Sequence, residues 1–162
     1  MGIPVPPGFT ITSEVWDFYF HNNKSYPKEL EHQVDENLAK IERLMGTKFG
    51  DGENPLLLSV RSGARVSMPG MLKTIPNLGL NENTVRGLAK NTNNERFAYD
   101  SYRRFIQTYA NIVLRVEWEV LEKILERRKQ QKGFHLDTEL TTEDLKDIIA
   151  EMKNKAKEVT GK

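Results

Sequence analysis

The sequence predicts a predominantly helical α+β chain. Three observations point there. Apolar residues recur at three- and four-residue steps before residue 46 and again from residue 81 onward, which is the period of a helix with one buried face. Short apolar or alternating runs bounded by proline or glycine occur only before residue 80, so strands are few. The loops rich in turn residues also lie in that first part. The expected organisation is therefore a mixed subdomain over 1–80 and a helical subdomain over 81–162.

Each element follows in order. Pro4, Pro6, Pro7 and Gly8 make a stiff, extended entry. Phe9-Thr10-Ile11-Thr12 alternates apolar and hydroxyl residues and reads as a short strand. Thr12 or Ser13 can cap a short helix carrying Val15, Trp16 and Tyr19. Pro27 suits a first helical turn. After it Leu30, Val34, Leu38, Ile41 and Leu44 form one stripe that Gly46 can end. Composition changes at Phe49, and Gly50 to Pro55 is a loop. Leu56-Leu57-Leu58-Ser59-Val60 reads as a buried strand. Arg61 to Pro76 has no period. Asn81 can cap a short helix through Val85 and Leu88. Tyr102, Phe105, Ile106, Tyr109, Ile112 and Val113 form a strong helical stripe. Trp118, Leu121, Ile124 and Leu125 form the next, ended by Gly133. Thr141 and Asp144 resemble a capping box before a last helix with Leu145, Ile148, Ile149 and Met152.

Composition bounds the function. With 24 Lys and Arg against 23 Asp and Glu, net charge is +1, so nothing favours nucleic acid or an anionic membrane as partner. There is no cysteine, hence no disulfide or thiolate chemistry, and a cytoplasmic location is compatible. No apolar run approaches the ~20 residues of a membrane span. The three histidines, His21, His32 and His135, are scattered without metal-ligand spacing, and no metal site is expected.

Three stretches could carry chemistry. In Ser59-Val60-Arg61-Ser62-Gly63-Ala64-Arg65 a strand delivers Arg61 at or near its end, where a guanidinium fork suits phosphate oxygens. Gly63 permits close backbone approach of a ligand, and Ser62 and Ser67 add hydroxyl donors. The blander alternative is an arginine paired with a carboxylate. In Ser67-Met68-Pro69-Gly70-Met71, Gly70 can expose backbone N–H groups to phosphate, or the segment is a tight turn. It is not a Walker-type loop. Arg96 to Phe105 holds three aromatics and three arginines. They could line a cleft, or Tyr102 and Phe105 belong to the core while Arg103 and Arg104 are solvated or pair with Asp100.

Together these stretches, with Gly2-Ile3-Pro4-Val5-Pro6-Pro7-Gly8-Phe9-Thr10 and Pro55-Leu56-Leu57-Leu58, resemble the pyruvate, phosphate dikinase family in order and spacing. The resemblance covers essentially the whole chain, more weakly in the last third. It implies part of an N-terminal, ATP-grasp-like domain that binds ATP with Mg2+ and passes a phosphoryl group to a histidine on another domain, a third domain serving pyruvate. By resemblance Arg61 contacts ATP phosphates and acts in catalysis. Ser62, Gly63 and Gly70 line the polyphosphate, and Arg104 makes a further ATP contact. The family's Gly-Gly-Lys stretch lies before this chain's start, and its magnesium-binding acids and phosphohistidine lie beyond Lys162. The expectation is one wall of an ATP cleft, inactive alone, whose partners are ATP and the remaining domains. The competing readings are a non-catalytic helical interaction module and a piece of a phosphoenolpyruvate synthase. Met-Pro-Gly-Met argues against the latter.

Overall fold

The structure is a computed structural model that describes residues 5–63 and 73–161. By contact the chain forms two compact units, Met1–Lys48 and Phe49–Lys162. The break falls where the composition changes, at Phe49. The division expected at residue 80 follows a different property, the end of the last strand.

The first unit holds α1 (Ser13–His21) and α2 (Glu29–Met45). Thr12 is the N-cap of α1 with extended backbone, and its hydroxyl donates to Glu14. No strand forms at Phe9-Thr10-Ile11-Thr12. These residues are exposed, so their alternation has no buried face to serve and, among the described residues, no partner strand to pair with. The stripe after Pro27 forms α2, and Gly46 ends it in the left-handed conformation with its N–H donating to Glu42 O. Within this stripe Ile41 is buried while Leu44 faces out.

The second unit starts with a hairpin. β1 (Leu58–Arg61) pairs antiparallel with β2 (Thr74–Leu78), with Val60 opposite Ile75 and Arg61 opposite Thr74. The strand was expected at Leu56–Val60 and buried. It starts two residues further on and is largely exposed, because α4 packs on β2 and leaves β1 uncovered. Leu56, just before it, takes the buried place. β2 runs through the stretch expected to be irregular. It accommodates Pro76 because a two-stranded sheet does not need every N–H in the ladder.

Four helices follow, α3 (Thr84–Thr92), α4 (Glu95–Ile112), α5 (Trp118–Lys132) and α6 (Thr142–Thr160), with a 3-10 turn at Asp137–Glu139. The predominantly helical α+β expectation holds. The starts of α3, α4 and α6 have side-chain causes, while α5 begins after Glu117 without a side-chain cap. Asn81 Oδ1 accepts from the N–H of Asn83 and Thr84, Asn94 Oδ1 from that of Phe97, and Thr141 and Asp144 form the reciprocal capping box. Gly133 closes α5 with positive φ. β2, α3 and α6 all pack on α4, and α5 packs on α6. Leu121, Leu125, Leu145, Ile148 and Met152 fill one core at about 1.5–3 kcal/mol each. Leu80, Val85, Ala98, Tyr102 and Phe105 fill a second core between hairpin and helices.

Candidate functional site

The candidate site starts at the end of β1. Arg61 is the last strand residue and is exposed. Among the described residues no carboxylate forms an ion pair with it, so the simple carboxylate pairing considered for this arginine is not what holds it. The next residue fixes the strand end. The Ser62 N–H donates to Lys73 O at 3.2 Å, its hydroxyl donates to the same oxygen at 3.2 Å, and it accepts from the Lys73 N–H at 3.1 Å. Three hydrogen bonds thus extend the hairpin one pair beyond Arg61. They also occupy the hydroxyl proton of Ser62, leaving that side chain one free lone pair. At Gly63 a Cβ would meet no atom of the described residues within 4 Å. Among the described residues nothing fills the space beside it, as a ligand approaching the backbone requires. Gly70, with the whole Ser67-Met68-Pro69-Gly70-Met71 stretch, lies outside the described residues.

The arginines of α4 divide by direction. Arg103 points inward and is buried. Its Nη2 and Nε reach Asp100 Oδ1 at 2.7 and 3.0 Å, and its Nη1 reaches Gln107 Oε1 at 2.9 Å. Arg96 donates to the carbonyls of Leu140 and Asp137 at 2.8 and 2.6 Å, tying α4 to the 3-10 turn. Arg104 alone of the three is well exposed, 59% of its side chain, and its Nε reaches Asp100 Oδ2 at 3.1 Å. Tyr102 and Phe105 lie in the core. Arg61 and Arg104 sit in one unit, where β2 packs on α4 and Asn77 Nδ2 donates to Ser101 O at 3.4 Å. No hydrogen bond or ion pair joins the two arginines.

Several polar residues of this helical layer escaped the sequence reading. Lys129, only 8% exposed, bonds Glu126 at 2.6 Å and Asp137 at 3.0 Å. The Glu126 and Asp137 carboxylates raise its pKa against the effect of burial. Gln107 links Arg103 to Glu122, 2.9 Å away. The signal was present: Lys129 falls four residues after Leu125, on the apolar face of α5. Lys153 of α6 pairs with Glu82 and stands 5.0 Å above the Tyr102 ring. Burial pulls its pKa down, and the hydrogen bonds to Glu82 and Tyr102 more than reverse that. This trio ties α6 to α4 and to the turn before α3. Among the described residues no three His, Asp or Glu side chains are grouped to hold a metal, and no helix is long and apolar enough to cross a membrane.

Comparison with known proteins supplies a class that the fold alone does not define: the relatives of this chain are dikinases. No protein-family model matches it. Curated relatives match it over nearly its whole length. "Pyruvate, phosphate dikinase" of Clostridium symbiosum is 51% identical over 158 residues, 98% of this chain, and that of Entamoeba histolytica is 51% identical over 160 residues, 99% of it. "Pyruvate, phosphate dikinase, chloroplastic" of Flaveria trinervia is 47% identical over 161 residues. The chain spans 18%, 18% and 17% of the length of these three. The resemblance to pyruvate, phosphate dikinase therefore stands, and it extends through the last third of the chain.

Proposed function

We propose that this chain is one wall of the ATP-binding domain of a pyruvate, phosphate dikinase, with an ATP-grasp-like part over 1–80 and a helical part over 81–162. The observation that carries the reading is Arg61. It is exposed at a strand end, held in place by Ser62, and has no carboxylate partner among the described residues. An arginine so placed holds its donors ready for an anion.

In this reading Arg61 donates N–H groups to the oxygens of the ATP polyphosphate. It stabilises the charge that builds on the transferring phosphoryl group, which is where this class of reaction gains most. The backbone at Gly63 and at Gly70 lies along the polyphosphate. Ser62 serves mainly by fixing the strand end. Arg104 makes a second, outer contact to ATP. As the family resemblance implies, the magnesium ligands come from elsewhere in a longer polypeptide. So do the phosphohistidine and pyruvate-binding domains, which are the chain's partners. The whole protein then interconverts ATP, phosphate and pyruvate with AMP, pyrophosphate and phosphoenolpyruvate in the cytoplasm, and this chain alone does not turn over. Neither nucleic acid nor a membrane is a partner.

The test is a calorimetric titration of the chain with Mg-ATP beside Arg61→Ala. Charge-assisted hydrogen bonds contribute about 1.5–3 kcal/mol, so the variant should bind roughly 10- to 150-fold more weakly. Equal affinities would remove Arg61 from the site. Formation of AMP and pyrophosphate from ATP, phosphate and pyruvate by the chain alone would refute its incompleteness.

A further inference from the structure

We infer that Asp100 is a positioning residue for ATP binding: it holds the Arg104 guanidinium by Nε so that the two Nη groups face an incoming polyphosphate. The inference deepens the proposed role of Arg104 and rests on it. Asp100 is mostly buried and uses both oxygens. Oδ1 is gripped by Arg103, 2.7 Å away, and Oδ2 accepts from Arg104 Nε at 3.1 Å. Arg103 is itself fixed by Gln107 at 2.9 Å and lies 3.5 Å from Asp137 Oδ2. An ordinary surface pair between residues four apart on a helix lets both side chains move. Here one partner is locked from behind, so Arg104 is tethered to a fixed point.

The geometry separates holding from mere charge. Asp100→Asn removes a negative charge beside the proposed polyanion site. Charge alone would then tighten ATP binding. Loss of positioning would weaken it, because a freed arginine must be ordered again on binding. The cost of immobilising one long side chain corresponds to about a two- to tenfold weaker Kd. Asp100→Asn also strips a carboxylate from buried Arg103, so Asp100→Glu is made alongside it. Glutamate keeps the negative charge while shifting the carboxylate by one methylene from the position that Arg103 and Arg104 share.

Two readouts decide. The first is Mg-ATP affinity by calorimetry for the native chain, Arg104→Ala, each Asp100 variant, and each combined with Arg104→Ala. The expected result is weakening by the Asp100 variants in the native background and none in the Arg104→Ala background. Weakening in both backgrounds would make Asp100 a fold residue only. Tightening in the native background would make it only a charge. Either overturns the inference. The second readout is the Arg104 Nε–H resonance, expected to be protected from solvent exchange in the native chain and lost in Asp100→Asn. An unchanged resonance also overturns the inference. If Arg104→Ala leaves ATP affinity unaltered, the proposed role of Arg104 fails. The resonance then still reports whether Asp100 holds it.

Discussion

Gly87 lies inside α3, where replacing glycine by alanine normally stabilises a helix by about 1 kcal/mol. At this position the sign reverses. A Cβ on Gly87 would stand 2.2 Å from Gly52 O and 2.9 Å from Glu53 O, both backbone atoms that cannot swing aside. Relief requires the 50–54 loop to move off the helix. The same loop is held to α3 by Asn91, whose Nδ2 donates to Glu53 O at 2.8 Å and Asn54 Oδ1 at 3.3 Å. Overpacking of this kind costs about 1–3 kcal/mol, and the two hydrogen bonds contribute about 1 kcal/mol each. Against the helix gain of about 1 kcal/mol, Gly87→Ala should destabilise the second unit by about 2–4 kcal/mol. Urea unfolding followed by far-UV circular dichroism measures this directly, and the thermal midpoint should fall by roughly 10–15 °C. A variant as stable as the native chain would refute the close approach of α3 to the loop.

Gly63→Ala is the counterpart. No atom of the described residues stands near its Cβ and its φ is not left-handed, so stability should change by less than about 0.5 kcal/mol. Mg-ATP affinity should nonetheless fall, because a methyl group would occupy the space assigned to the polyphosphate. Unaltered affinity by titration would clear Gly63 from the site. Asp144→Asn tests the α6 cap by pH. Burial pushes the Asp144 carboxyl up, but the Thr141 hydroxyl and amide, with Lys132 beyond them, outweigh it, and the pKa lies below the ordinary 3.8. A depressed carboxylate pKa adds stability that is present above the ordinary value and lost as pH falls through the folded one. The native chain should therefore lose stability below about pH 4 more steeply than Asp144→Asn, by urea titration at each pH. Parallel slopes would contradict this.

The helices were legible because their causes are local. Thr141 and Asp144, Asn94, Gly46 and Gly133 act within one turn of the helix end they define, and an apolar stripe such as Leu121-Ile124-Leu125 states its own period. The strands were less so. Phe9-Thr10-Ile11-Thr12 has the pattern of a strand but no partner among the described residues, and β2 has the partner without the pattern, since Pro76 and Asn77 argue against it. Pairing is a property of two segments, and neither segment states it alone. Of the candidate site, the placement of Arg61 at a strand end was readable. The use of the Ser62 hydroxyl on Lys73 was not, because its cause lies eleven residues away. Arg103 and Arg104 are adjacent and chemically identical in the sequence. Only the fold decides that one turns toward Gln107 and the other toward solvent.

That difference bears on how an anion site can be recognised. Five arginines of the second unit, Arg96, Arg103, Arg104, Arg127 and Arg128, have carboxylate or carbonyl partners. A partnered guanidinium is already satisfied, and binding phosphate there means breaking or sharing an existing contact. Arg61 carries no such obligation among the described residues, and its backbone is anchored by the hairpin and by Ser62. Held backbone and free donors are the two conditions for binding an anion at low ordering cost. Arg104 meets them differently, giving one donor to Asp100 in exchange for a fixed position and keeping the others. The arginine count of a sequence therefore says little about phosphate binding. The useful quantity is how many guanidinium donors remain unused once each side chain is held, and by that measure Arg61 differs from Arg96, Arg103, Arg127 and Arg128. Its anchored strand end distinguishes it from Arg86 and Arg115, which are exposed and also have no side-chain partner among the described residues.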